Sequence, residues 1–133
     1  MTYLIGYGGA TAVFILADMI WLGIMVGRFY RPALGDLLSS VANLPPALLF
    51  YAAYPIGLVI FAVAPSLKAQ SLGLALLYGA LFGLFTYGTY DLTNHATLRH
   101  WPVSVTLIDM AWGTVLGGLA AVAGTALASR FGG

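Results

Sequence analysis

Four long apolar stretches, separated by short polar breaks, organise this chain. They run from about Tyr3 to Gly27, Leu44 to Ala64, Leu72 to Tyr90 and Pro102 to Ala128. Each approaches or exceeds the roughly 20 apolar residues that a helix needs to cross a bilayer. Asn43 ahead of Pro45 and Pro46 reads as a cap with proline in the first turn, and Trp101-Pro102 opens the fourth stretch in the same way. Pro65-Ser66 is expected to end the second. The pattern predicts an all-α polytopic membrane protein, a four-transmembrane-helix bundle, forming one transmembrane domain over residues 1–133.

The connection from Arg28 to Asn43 is too polar to span. Phe29, Ala33, Leu34, Leu37, Leu38 and Val41 nevertheless recur at roughly helical spacing, with Arg28, Arg31 and Asp36 between them. This segment is expected to form a short interfacial helix between the first two spans; an ordinary loop at the headgroups is the alternative. The first apolar run lacks a basic stretch before it and carries Asp18, so it reads as a retained helix, not a cleaved leader. Four crossings place Lys68 and Arg130 on one side, and Arg28, Arg31 and Arg99 on the other. The positive-inside rule thus leans towards odd-numbered loops in the cytoplasm, by three charges to two.

Composition sharpens this picture. The chain is 61% hydrophobic and 7% charged, whereas a soluble domain carries about 25% charged residues. Most of its surface must therefore face lipid. A net charge of +1 with scattered basic residues gives no footprint for nucleic acid. The absence of cysteine excludes disulfides, thiol catalysis and cysteine metal sites.

Three Gly-x-x-x-Gly pairs, Gly23/Gly27, Gly79/Gly83 and Gly113/Gly117, point to close helix contact, within the chain or with a second copy or another membrane protein. The acidic residues are the candidates for chemistry. A carboxylate within the bilayer costs about 2.5–3.5 kcal/mol on insertion scales unless it is paired or protonated. Asp18 lies about 13 Å before the expected end of the first helix, Asp109 about 10 Å into the fourth, and Asp91 closes the third. All three fall in the same half of the membrane. Asp91 shares a stripe with Gly79, Gly83 and Tyr87, Asp109 with Gly113, Gly117 and Ala121, and Asp18 a face with Thr11, Phe14, Trp21 and Met25, so all three are expected to point into the bundle interior.

Groups able to satisfy these acids surround them. Tyr51 and Tyr54 are three apart on the second helix, as are Tyr87 and Tyr90 on the third. Asp18 with Trp21 and Asp109 with Trp112 repeat an Asp-Met-x-Trp pattern, in which the indole is suited to donate to the carboxyl. Arg99 could compensate Asp91. The candidate substrate- or ion-binding set is therefore Asp18, Asp91, Asp109, Arg99, Asn94, Tyr54, Tyr87, Tyr90, Trp21 and Trp112. A structural reading stands beside it, in which the acids fix helix register and Asn94 turns the chain. His95 and His100, five apart, share no helix face and read as interface residues, and Trp101 reads as part of an aromatic belt. No phosphate loop, nucleophile motif or metal-ligand set stands out, so no cofactor and no metal is expected.

The blocks Asp18-Met-Ile-Trp-Leu-Gly23, Tyr87-Gly-Thr-Tyr-Asp-Leu-Thr-Asn94, Arg99 with Trp101-Pro102, and Asp109-Met-Ala-Trp-Gly113 together resemble a bacterial membrane-protein family, domain of unknown function 2177. The resemblance implies a multi-pass protein of the bacterial cytoplasmic (inner) membrane and brings no reaction with it. Three activities fit the residues. The first is a small carrier or an ion or proton pathway using the aspartates. The second is a membrane-embedded enzyme acting on a lipid or other hydrophobic substrate. The third is a non-catalytic accessory subunit of a membrane complex. Lipid is the expected partner in each, with a homo-oligomer or another membrane protein as further possibilities.

Overall fold

The computed structural model describes residues 1–132. Four helices in it are long and apolar enough to span a membrane: α1 (Thr2–Leu37), α2 (Leu44–Ala69), α3 (Leu72–Thr97) and α4 (Val103–Phe131). The connections are short, so successive helices run antiparallel. At one end of the bundle the Thr2 hydroxyl donates to the Gly132 carbonyl (2.8 Å), joining the start of α1 to the end of α4. Ser71 caps α3 by accepting the Leu74 N–H (3.0 Å), after Gln70 has turned the chain with φ of 52°.

Small residues set the helix contacts. Gly79 lies against the backbone of Gly117, and Gly83 against that of Gly113; a Cβ at any of the four would collide with backbone or with the Tyr87 ring. Two of the glycine pairs therefore seat α3 on α4 within one chain. The Gly23/Gly27 pair meets nothing within 4 Å of its would-be Cβ atoms. A third close contact joins α1 to α4, where Gly124 meets the Gly6 carbonyl and Ala10, and Gly9 meets Leu127. Between these contacts lies a fully buried apolar layer that includes Phe14, Leu58, Leu116, Ala120 and Ala121. Large apolar side chains such as Leu16, Ile20, Leu48, Phe61, Phe85 and Leu107 point outward, as a lipid-facing surface requires.

The expected interfacial helix between the first two spans is not found as a separate element. Helix α1 passes through a π-helical turn at Val26–Tyr30, then a further α-turn and a 3-10 turn, and stops at Leu37. Phe29, Ala33, Leu34 and Leu38 of this segment pack around Tyr30, Trp101 and Val105 and so extend the bundle, while Leu37 and Val41 stay exposed. The other helices also run past their expected ends. Helix α2 continues through Pro65 to Ala69, because proline in a first turn has no N–H to lose there, and a second π-turn (Val59–Val63) has just reset the hydrogen-bond ladder. Helix α3 continues to Thr97, so Asp91 lies inside a helix, about 1.7 turns before its end.

The glycine contacts yield a direct test. Gly83→Ala should destabilise the protein by on the order of 3 kcal/mol, the upper end for overpacking, because its Cβ meets backbone that cannot yield. Gly23→Ala should be neutral or stabilising by about 0.5–1 kcal/mol. Denaturant unfolding in detergent micelles measures both, and equal losses at the two positions would contradict this packing.

Candidate functional site

Asp18 and Asp109 lie three residues before Trp21 and Trp112, on helices that run in opposite directions. Antiparallel packing lays one Asp-Met-x-Trp segment over the other with its order reversed. The two indoles stack, with ring centroids 4.4 Å apart and planes 4° from parallel. Each N–H then points away from its own motif. Trp112 Nε1 donates to Asp18 Oδ1 (3.1 Å), across the helix pair. Trp21 Nε1 donates to the Tyr30 hydroxyl (3.1 Å), which donates in turn to Asp109 Oδ1 (2.7 Å). The expected pairing of each indole with its own helix's acid is thus replaced by a crossed one. Tyr51 of α2 completes the set by donating to Asp18 Oδ2 (2.5 Å).

Tyr30 enters this network because of the π-turn. At about 100° per residue, Tyr30 would lie roughly 120° from Asp18 on an unbroken α-helix. A π-turn absorbs one extra residue and brings the offset to about 20°, which returns Tyr30 to the inward face. Its side chain is buried.

Asp91 is fully buried, and neither carboxyl oxygen meets a hydrogen-bond donor among the described residues. Asp109 of α4 is its acidic neighbour, and two carboxyls brought together in an apolar setting repel each other unless a proton or a cation lies between them. Arg99, the partner expected from the sequence, is exposed on the turn after α3.

A cavity of about 450 Å³ opens beside these groups and is walled by all four helices. Asp18, Trp21 and Leu22 of α1 face Asp109 and Trp112 of α4; Phe50 of α2 and Thr86, Tyr87 and Tyr90 of α3 complete the wall. A smaller recess of about 190 Å³ meets it at Leu22, Tyr90 and Asp109 and reaches Tyr30 and Trp101. Six of the ten candidate residues therefore converge: Asp18, Trp21, Tyr87, Tyr90, Asp109 and Trp112. Asp91 joins them through Asp109.

Three candidates stand apart. Tyr54 is buried in the apolar layer, its ring stacked on Phe14 at 4.5 Å, and its hydroxyl finds no partner among the described residues. The Asn94 carbonyl accepts the Leu98 N–H (2.8 Å) and ends α3. Arg99 lines none of the cavity walls described here. Trp101 is only 8% exposed and donates to Thr106 Oγ1 (3.0 Å), which also contacts His95 Nδ1 (3.2 Å); it locks α3 to α4 and does not belong to an outer belt. Among the described residues no three His, Cys, Asp or Glu side chains are grouped to hold a metal ion. Tyr30, Phe50 and Thr86 are the site residues that sequence reasoning passed over. The only sequence hint of Tyr30 was an aromatic residue in a segment too polar to span.

The crossed network predicts measurable coupling. A double-mutant cycle on Tyr30→Phe and Asp109→Asn should give a coupling energy of about 0.6–1.7 kcal/mol, the range for hydrogen bonds between membrane helices. Unfolding in micelles would measure it, and strictly additive losses would contradict the Tyr30–Asp109 bond.

None of the curated proteins and none of the solved structures matches this chain. One family does, described as a predicted membrane protein, and the match runs over residues 3–126. That stretch holds all four spans almost entire, with the aspartates, the stacked indoles and every wall of the cavity: the chain belongs to the DUF2177 family of predicted membrane proteins.

Proposed function

We propose that this protein is a small membrane carrier in which Asp18 and Asp109 bind and release a cation, the proton included, inside the bundle. The observation that carries this reading is the placement of two carboxyls from different helices on one cavity wall, with a third, buried and donor-less, on α3 next to the wall residue Tyr90. Ionisable groups at this depth are costly, and a carrier is a setting in which that cost does work. The donors to Asp18 and Asp109 are neutral N–H and O–H groups, which hold the carboxyls in place without cancelling their charge.

The rest of the bundle supports a carrier over an open pore. The apolar layer around Phe14, Leu58 and Leu116 is fully buried. The polar cavity at the other end, lined by Ser66, Gln70, Ser71 and Thr125 among others, shares no wall residue with the acidic one. A bacterial inner membrane, with its standing proton gradient, is the setting this reading requires.

Reconstituted liposomes test the proposal. With a pH gradient imposed, the wild-type protein should carry protons or cations, and Asp109→Asn should lower the flux at least tenfold while helicity by circular dichroism is retained. Asn is nearly isosteric with Asp but cannot ionise, so the loss would report charge and not shape. Wild-type liposomes that show no flux above empty ones would sink the reading.

A further inference from the structure

We infer that the occupant of the acidic cavity is a hydrophobic organic cation, its charge set between Asp18 and Asp109 and its body against the aromatic walls. This deepens the carrier reading and rests on it for the biological role, though the binding itself is testable without transport. Charge comes first. Two carboxyls line the wall and no lysine or arginine does. An anion would meet uncompensated negative charge in a medium where such repulsion is poorly screened. A neutral ligand would leave that charge unmatched.

Capacity points away from a bare inorganic ion. About 450 Å³ falls in the range of small-molecule sites, roughly 300–1,000 Å³. Among the described residues no three His, Cys, Asp or Glu side chains are grouped to hold a metal ion, and most of the cavity wall is aromatic.

The walls complete the case. Trp21, Phe50, Tyr87, Tyr90 and Trp112 present aromatic surface, whose negative faces attract a cation within about 6 Å of the ring centre. The two indole N–H groups on the wall, and the hydroxyls of Tyr30 and Tyr51 beside it, all serve the carboxyl network, which leaves the hydroxyls of Tyr87 and Tyr90 to meet polar atoms of the ligand. The same stacked indoles also line an apolar groove of about 350 Å³, with Ala17, Ile20, Ile24 and Met25, on the outer face of α1 and α4. A molecule soluble in the bilayer can thus touch the same indoles that wall the cavity.

Tetraphenylphosphonium and tetraphenylborate, nearly isosteric and opposite in charge, are suitable probes for the purified protein in detergent micelles. Isothermal titration calorimetry should show saturable binding of the phosphonium and none of the borate. Asp18→Asn should weaken phosphonium binding at least tenfold. Phe50→Ala, at a half-exposed position with no part in the hydrogen-bond network, should weaken it several-fold in a fully folded protein. Equal binding of the borate, or phosphonium binding unchanged in both variants, would overturn the inference. Proton flux without phosphonium binding would remove the organic cation and leave the carrier. Phosphonium binding without any flux would keep the site and remove the carrier.

Discussion

A carboxyl group taken into hydrocarbon must find hydrogen-bond donors, a proton or a cation, and the fold of this protein is organised around that demand. Helices α1 and α4 meet it for each other. Trp112 on one serves Asp18 on the other, and Trp21 serves Asp109 through Tyr30. The stacked indoles at the centre of this exchange add about 0.5–1.5 kcal/mol beyond their burial. Parallel helices could not make the exchange, because the two motifs would then superpose in the same order.

Such an exchange needs the helices held at a fixed distance and register. The contact of Gly6, Gly9 and Ala10 with Gly124 supplies this for α1 and α4, near the far end of the bundle from the acids. The contact of Gly79 and Gly83 with Gly117 and Gly113 supplies it for α3 and α4. Glycine permits this because the approach is backbone to backbone, with no side chain to accommodate. One turn further along α3, Tyr87 lies over Gly113, and from there larger side chains take over and the cavity opens. The tight half of the bundle therefore stabilises the geometry of the polar half.

Asp91 shows that the network is not fully closed. Every other buried acid contact in the site has a donor; this one has only another carboxyl. The two oxygens of Asp91 are left to accept from a proton or a cation, and the proposed carrier role draws on that opening.

The residues alone determined that the chain spans a membrane four times, since nine charged side chains cannot wet the surface of 133 residues and each apolar run matches the bilayer in length. They also put Asp18, Asp91 and Asp109 towards the same end of the bundle, because helical rise converts sequence distance directly into distance along the helix axis. The tertiary structure decided which groups touch. The path of α1 beyond Met25 turned on a π-turn that hydrophobic spacing does not encode, and with it came the burial of Tyr30. The crossing of the two Asp-Met-x-Trp segments, the exposure of Arg99 and the burial of Trp101 likewise depend on which helix lies beside which. Periodicity reports the inward face of a helix, but only packing supplies the neighbour that this face meets.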